Sequence, residues 1–449
     1  MNRIEKVPKY SLPMIGDFCL IILNISHNTT VIPNALFRID NLGLINVVFF
    51  IVNFFYILIR FKGGIHKIKS QKLLFLLLAF FLLYIIEIIK SPFIINGRFE
   101  YSLALTFHMI TFIALLNNCY KEYSLKYGTK VGLELILKLY IVFSIYIITT
   151  TILAFFLFKL NVLSPYTNSV SYGIMQSNIS QAGTKYYFPG YLSILETNVH
   201  FVARIPLLQE HGLICGLSHE PHLASYIVAP SLLFLIAIKK FSKSTLLLIV
   251  CSFMLFFVLA SSATNFLLII ALTIIGAFIY YINIKKNIIV TIGILLLFVF
   301  MTTAIIYNSD DFILLVENSN LAFVANKLNP SSGSGSLEYS TNRIFYMLNP
   351  STVMGTTLFS TSIEDGNDIG FIPFVFNLLI LVSLFWNSFK LIMTKNKKYF
   401  YTGLGVLYFL LHSMKINLLI YRSPYTLFII FILIISLEAA KTEREQAIM

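Results

Sequence analysis

Long apolar stretches alternate with short polar segments along almost the whole chain. The stretches 73–89, 131–158, 246–260 and 288–306 contain few or no charged residues. Because a helix needs roughly 20 mostly apolar residues to cross about 30 Å of hydrocarbon, the pattern predicts about twelve transmembrane helices. The predicted spans lie near 12–30, 42–60, 73–90, 102–119, 131–158, 221–238, 245–262, 264–282, 288–307, 371–389, 400–418 and 423–438.

Composition supports the same fold class. Hydrophobic residues make up 57% of the 449 residues, charged residues only 12%, and the mean hydropathy is +0.82. A soluble domain carries about 25% charged residues, so this chain lacks the polar surface that a soluble fold of its length requires. We expect an all-α, polytopic integral membrane protein whose residues 1–449 form a single membrane domain.

The positive charge predicts the orientation in the membrane. The formal net charge is +13, and most Lys and Arg residues form small clusters on every second loop, at 60–72, 121–130, 239–243, 285–286 and 390–398. Cytoplasmic loops carry such an excess, so both termini are predicted to be cytoplasmic. Clusters separated by membrane spans argue against nucleic acid as a partner. The four cysteines have no paired spacing, and no disulfide framework or zinc site is predicted.

Two long polar segments, 159–220 and 309–370, fall on the outer side in this topology. The first is rich in tyrosine, which can bind the faces of sugar rings or form an interfacial aromatic belt. Because loops of this length are usually functional, we expect the activity at the outer face.

The densest group of ionisable residues in these segments is RIPLLQEHGLICGLSHEPH, residues 204–222. Proline suits the first position of a helix, so Pro221 makes Glu220 the predicted N-cap. Glu220 then either only caps the helix, with histidines at a wet interface, or acts as a general base assisted by His222 or His219. The segment has no HExxH-like ligand pattern, and no metal is predicted. His211 is a further candidate for substrate contact.

One arginine in each long segment is a candidate ligand for phosphate. Eleven residues separate Arg204 from Gly216, and eleven separate Arg343 from Gly355. The guanidinium geometry suits bidentate binding of a diphosphate. The alternative is that each arginine binds lipid headgroups.

A second group of candidates lies near the outer end of the eleventh predicted span. His412 and Lys415 are three residues apart and share a helix face, and Arg422 follows in the next turn. Ionisable groups at membrane depth are functional candidates, whereas snorkelling of Lys415 to the interface requires no substrate. In the third span, Glu87 and Lys90 have the spacing of an ion pair on one helix face. Asp17, in the first span, has no partner that the sequence identifies.

The architecture and several segments resemble the O-antigen polymerase (Wzy-type) family of bacterial inner membranes. GLSHEPHLAS (216–225) resembles the Gly…Glu-Pro element of that family, and SSATN (261–265) resembles its Ser-rich turn between two spans. Asn342 and Arg343, followed by Pro350 and Gly355, resemble its Arg-containing second loop, and GFIP (370–373) opens the next span. Family members have ten residues between Arg and Gly in both loops, whereas this chain has eleven.

The resemblance implies a glycosyltransferase of the inner (plasma) membrane that needs no cofactor. Its donor would be an undecaprenyl-diphosphate-linked glycan, and its acceptor a sugar hydroxyl of a second lipid-linked unit. Glu220 would take the hydroxyl proton, with inversion at the anomeric carbon. The departing diphosphate would be stabilised by arginine and lysine, here Arg204, Arg343, Arg422 and Lys415. Membrane lipid, a flippase and a chain-length regulator would be its partners.

Three alternatives remain at the level of sequence. A polysaccharide flippase or transporter also has about twelve spans, usually with internal repeats and charged or broken helices near mid-membrane, and no convincing repeat is visible here. An O-antigen ligase has a related fold. A structural or assembly partner would carry out no chemistry.

Overall fold

The computed structural model describes residues 12–27, 42–62, 71–93, 99–162, 221–238, 242–260, 263–286, 352–355, 370–416 and 423–448, with four short strands between 165 and 216 and a few positions between 289 and 318. At several of these positions, among them 12–13, 71–73, 221–223, 414–416 and the four strands, only the backbone is described. The ninth predicted span, 288–307, lies largely outside the described residues.

Eleven α-helices make up most of the described part of the chain. They are α1 (Leu12–Ser26), α2 (Leu42–Arg60), α3 (Gln71–Lys90), α4 (Phe99–Tyr127), α5 (Thr129–Lys159), α6 (Pro221–Ile238), α7 (Lys243–Ala260), α8 (Ala263–Tyr280), α9 (Phe371–Ile392), α10 (Lys397–Ile416) and α11 (Pro424–Ile448). A 3-10 turn follows α3 and a π-helical turn follows α8. The helices overlap the predicted spans, and α4 and α11 run well past them into charged segments on the predicted inner side.

Six of the described helices are long and apolar enough to cross a membrane, namely α2, α4, α5, α7, α9 and α11. Shorter apolar stretches occupy α1, α6 and α8. The structure therefore supports a multi-pass, predominantly helical membrane protein. The number of about twelve spans stays a prediction.

Helix α11 lies at the centre of the described bundle. Buried residues make up 78% of its apolar window, against 22% for α7, and every residue from Leu427 to Ile435 is buried. The outer helices instead expose apolar side chains, such as Ile59 on α2 and Leu248 on α7, which are 79% and 68% exposed. An apolar surface of this kind is suited to lipid rather than water.

Close helix packing brings α6 against α10, α9 against α10, and α2 against α4. Gly405 on α10 lies against the ring of Phe234 on α6, and a Cβ at that position would lie 2.5 Å from a ring carbon. Small residues let membrane helices approach closely, so Gly405 sets the separation of α6 and α10.

The first outer segment contains an antiparallel four-stranded sheet that the all-α prediction did not include. Its strands are β1 (Pro165–Tyr166), β2 (Lys185–Tyr187), β3 (Leu192–Leu195) and β4 (Leu213–Gly216), in the order β1-β2-β3-β4. Strand β4 packs against α5, α6 and α7. The sheet thus connects the first long segment to the helices that surround the candidate site.

Asp17 has partners that the sequence did not identify. Its buried carboxylate accepts hydrogen bonds from the hydroxyls of Tyr56 on α2 and Tyr123 on α4, at 2.8 and 2.9 Å. Arg60 forms a salt bridge with Asp17 at 3.2 Å and with Glu122 at 2.9 Å. These contacts join α1, α2 and α4 around one charged cluster.

Candidate functional site

Four buried tyrosines, two of which contact His412, lie between the helices that converge toward the predicted outer face. We call this group the tyrosine–histidine cluster. Each member is at most 2% exposed. The members are Tyr140 on α5, Tyr226 on α6, Asn265 on α8, Tyr408 and His412 on α10, and Tyr425 on α11.

Pro230 explains why tyrosine hydroxyls meet the backbone of α6. Proline has no N–H, so it cannot donate the helical hydrogen bond to the carbonyl four residues earlier, which is that of Tyr226. The hydroxyl of Tyr425 donates to this carbonyl at 3.1 Å. Helix α6 therefore tolerates a proline, because a side chain of α11 satisfies the freed carbonyl.

A second hydroxyl extends this contact to α5. The oxygens of Tyr140 and Tyr425 lie 2.5 Å apart, and the Tyr140 hydroxyl is also 2.5 Å from the carbonyl oxygen of Ile227. Each hydroxyl has one hydrogen, and the Tyr226 carbonyl has lost its helical donor. Tyr140 therefore donates to the carbonyl of Ile227, and Tyr425 donates to the carbonyl of Tyr226. Hydroxyls from α5 and α11 thus bind adjacent carbonyls of α6.

His412, a predicted substrate contact, is fully buried within this cluster. Its ring centroid lies 4.9 Å from that of Tyr226 and 5.8 Å from that of Tyr408. The Tyr408 hydroxyl donates to the side-chain oxygen of Asn265 at the start of α8. His412 therefore lies among aromatic rings below the outer ends of the helices.

Among the other predicted site residues, two have a described backbone position. His222 lies in the first turn of α6, four residues before Tyr226, and Lys415 lies in the last turn of α10, three residues after His412. Because α6 packs against α10, the helices that carry these residues are neighbours. The remaining candidates lie outside the described residues: Arg204, His211, His219, Glu220, Arg343 and Arg422.

An apolar cleft of about 390 Å³ opens beside the cluster, between α6, α7, α8 and α10. Its lining is almost entirely aliphatic and aromatic and includes Leu233, Phe257 and Leu272. Tyr408 belongs both to its wall and to the tyrosine–histidine cluster. On α10 the lining runs from Phe400 to Tyr408, about 12 Å of helix. The cleft can hold part of a long hydrocarbon chain.

A tight turn of the second long segment, residues 352–355, is attached to the start of α9. The carbonyls of Thr352 and Val353 accept the N–H groups of Phe371 and Ile372 at 2.8 and 3.1 Å. Gly370, with φ +90°, lies so close to the turn that a Cβ would collide with the backbone of 354–355. The first N–H groups of α9 are therefore occupied by protein carbonyls.

The outer end of α3 holds the same turn. The Lys90 ammonium donates to the carbonyl of Met354 at 3.3 Å and lies 3.6 Å from the Glu87 carboxylate. Both side chains are buried. The predicted Glu87–Lys90 ion pair is confirmed, and it links α3 to a turn that includes Gly355, the second glycine of the Arg-Gly pattern.

Sequence reasoning missed the tyrosines of the cluster. Tyrosines within apolar spans were an available signal, since a buried hydroxyl usually needs a hydrogen-bond partner. Pro230 was a second signal, because a proline inside a span frees a carbonyl. Neither signal identifies the partner, which comes from another helix.

No protein-family model, curated protein or solved structure matches this chain.

Proposed function

We propose that the protein is an O-antigen polymerase of the bacterial inner membrane. It joins undecaprenyl-diphosphate-linked oligosaccharide repeat units at the periplasmic face. The oxygen of an acceptor sugar hydroxyl attacks the anomeric carbon of the donor, the bond from that carbon to the diphosphate breaks, and undecaprenyl diphosphate leaves with the electron pair. A general base takes the hydroxyl proton.

The observation that supports this proposal is the apolar cleft that adjoins a buried polar cluster through Tyr408. A lipid-linked sugar has a long hydrocarbon tail and a polar, doubly charged head. A cleft with an aliphatic lining matches the tail of such a molecule, and Tyr408, which lines the cleft and bonds to Asn265, lies at the end of the cleft nearer the predicted outer face.

The residues proposed for chemistry are chain neighbours of this cluster. Glu220 directly precedes α6 and is the proposed base, with His222 or His219 as its helper. Arg422 precedes Pro424, the first residue of α11, by two positions, and Lys415 ends α10. Together with Arg204 and Arg343, these cations would stabilise the departing diphosphate.

One observation favours a polysaccharide transporter as a second candidate. Fully buried polar side chains, among them Asp17 and His108, lie between α1, α2 and α4. Ionisable groups within spans are typical of transport pathways, whereas the polymerase reaction requires none there.

Deletion of the gene separates these candidates. For a polymerase we expect lipopolysaccharide capped with a single repeat unit, because transport and ligation remain intact. Loss of a flippase or a ligase would remove that unit as well. Surface glycan of normal length in the deletion strain would contradict the polymerase proposal.

The purified full-length protein in lipid nanodiscs gives a direct test. With a defined lipid-linked oligosaccharide, we expect longer products on a gel, both with and without chelator. Products that disappear with chelator would contradict the expected independence from metal.

Substitutions test the residue assignments separately from the function. Arg343→Ala and Glu220→Gln should each lower polymer yield by at least tenfold in inserted, folded protein, because charge stabilisation and proton removal are lost. Arg343→Lys should restore yield only partly, since lysine cannot bind a phosphate bidentately. Arg98→Ala, outside the two long segments, is the matched control and should leave chain length unchanged. Full chain length in both test variants would contradict the assignments.

A further inference from the structure

Five fully buried polar side chains form a connected network between α1, α2 and α4, apart from the tyrosine–histidine cluster. Each of them is 0% exposed. They are Asn24 and His27 on α1, Asn46 and Asn53 on α2, and His108 on α4. Buried polar groups at this depth are costly and are functional candidates.

The amide of Asn24 has one defined orientation. Its Nδ2 donates to the carbonyl of Leu20 at 2.8 Å and to the Oδ1 of Asn53 at 3.0 Å. The Nδ2 of Asn53 donates back to the Oδ1 of Asn24 at 2.9 Å. If the Asn24 amide were rotated by half a turn, its N–H groups would face the N–H groups of Asn53. The oxygen of Asn24 therefore faces His108 as an acceptor.

Both ring nitrogens of His108 face amide oxygens. Nε2 lies 2.8 Å from the Oδ1 of Asn24, and Nδ1 lies 2.8 Å from the Oδ1 of Asn46. A neutral imidazole has one N–H, so both contacts are hydrogen bonds only when the ring is a protonated imidazolium. The ring of Phe49 stacks on His108 with centroids 4.9 Å apart, and an aromatic face favours a cation.

Rotation of one amide produces a neutral arrangement of the same groups. The Oδ1 of Asn46 also lies 3.0 Å from the Nε2 of His27. If the Asn46 amide rotates by half a turn, its two N–H bonds point at His108 and His27, and both nitrogens can accept. His108 then donates only to Asn24, and no buried charge remains. When His108 binds or releases one proton, the Asn46 amide therefore rotates once by half a turn.

The titratable ring that faces His108 is His27, with centroids 5.4 Å apart. The nearest charge on α1 is Asp17, seven residues from Asn24 and about 10 Å along the helix. On α4 itself, Glu100 lies eight residues before His108, about 12 Å along the helix, and Lys121, Glu122 and Lys126 lie near its other end. The other surrounding described helices carry Arg60 on α2, Lys72, Glu87 and Lys90 on α3, Lys130, Glu134, Lys138 and Lys159 on α5, and Glu438, Lys441, Glu443, Arg444 and Glu445 on α11.

We propose that His108, held between Asn24 and Asn46, is a proton-binding site within the membrane domain. Desolvation opposes the charge, whereas two amide oxygens and the Phe49 ring favour it. His108 therefore binds a proton on acidification and releases it on return to higher pH. This inference does not depend on the polymerase proposal.

Ring ¹⁵N spectra of the full chain, labelled at histidine and held in lipid nanodiscs, test the site. His108→Gln identifies the His108 signals. We expect both ring nitrogens of His108 to be protonated at about pH 4.5 and only one at about pH 8.5, reversibly, as for a titrating imidazole. A single neutral tautomer at every pH would overturn the proposal, as would an unchanging imidazolium.

Two variants test the role of Asn46. Asn46→Asp should move the transition of His108 upward by at least one pH unit, because a carboxylate stabilises the imidazolium. Asn46→Leu should move it downward by at least one unit, because an acceptor is lost. His66→Gln, which leaves all five network residues unchanged, is the control and should not move the transition of His108. If Asn46→Leu does not fold, the Asp variant and the wild-type spectra still test the proposal. An unshifted His108 transition in the Asp variant would contradict the role of Asn46.

Discussion

Asp17 shows how a single residue can connect three helices. Its carboxylate is 0% exposed, and its partners are Tyr56, Tyr123 and Arg60. A buried carboxylate is tolerated when hydrogen bonds and an opposite charge compensate for its lost hydration. Gly16, the preceding residue, leaves room for the Tyr56 hydroxyl, which would lie 2.8 Å from a Cβ at that position.

Replacement of Asp17 should be strongly destabilising. Asp17→Leu removes the acceptor of the buried Tyr123 hydroxyl and of the partly buried Tyr56 hydroxyl, together with one of the carboxylates bound by Arg60. We therefore expect a loss of about 3 kcal/mol or more. Asp17→Asn retains the shape and an acceptor oxygen and should cost less. The measurement is the free energy of unfolding in one detergent. Glu445→Gln, in an exposed pair with Lys441, should stay within about 0.5 kcal/mol. Equal stability of the Leu variant and wild type would contradict this role.

At the scale of elements, α6 depends on α11 to complete its backbone hydrogen bonding. Pro230 leaves the Tyr226 carbonyl without a helical donor, and the Tyr425 hydroxyl provides one. This dependence predicts an energetic coupling between a helix-interior proline and a tyrosine 195 residues away in sequence.

A double-mutant cycle measures this coupling. Tyr425→Phe should lower the free energy of unfolding by about 1–3 kcal/mol, because a buried carbonyl loses its donor. In a Pro230→Ala background the same change should cost at least about 0.5 kcal/mol less, since the N–H of residue 230 can bond to the carbonyl. Tyr408→Phe, whose hydroxyl bonds to Asn265 rather than α6, should show no coupling to Pro230→Ala. Identical costs of Tyr425→Phe in both backgrounds would show that the proline and the hydroxyl act independently.

The apolar cleft belongs to four helices together, and filling it tests whether a lipid tail binds there. Ala277→Trp, on the α8 wall, should reduce the length of the surface polymer, because the indole occupies space proposed for the hydrocarbon chain. Ala271→Trp, on the same helix but outside the lining, should leave the polymer ladder unchanged on a gel. Normal polymer in the Ala277 variant would exclude the cleft as the tail site while leaving the enzyme assignment open.

At the scale of the whole molecule, burial increases from the lipid-facing helices toward α11. Apolar side chains lie on the outside of α2 and α7, whereas α11 is enclosed on nearly every side. Lipid tails are as apolar as a leucine side chain, so helix association depends on packing, small residues and polar contacts. The Asp17 cluster, the polar network and the tyrosine–histidine cluster are such contacts.

The charge distribution predicts the orientation of the whole chain. Alkaline phosphatase fused to the C-terminus should be inactive and a fluorescent protein fused there should be fluorescent, because the positive-inside pattern retains that end in the cytoplasm. Phosphatase inserted within 159–220 should be active. Active phosphatase at the C-terminus would contradict the predicted topology.

The positions of the helices follow from local features of the sequence. Apolar length and helix signals such as Pro221 are local properties, and the described helices overlap eleven of the predicted spans. The Glu87–Lys90 pair was predictable for the same reason, since residues three apart share a helix face. The short strands of the first long segment were not predicted.

The pairing of helix faces, in contrast, becomes visible only in the packed bundle. Spans that are apolar on nearly every side have no single stripe from which a neighbour could be inferred. The partners of Asp17 come from α2 and α4, and the donor for Tyr226 comes from α11. These contacts join residues that are distant in sequence. They are stable because the packed bundle excludes water and lipid from them, and that environment exists only after the helices have assembled.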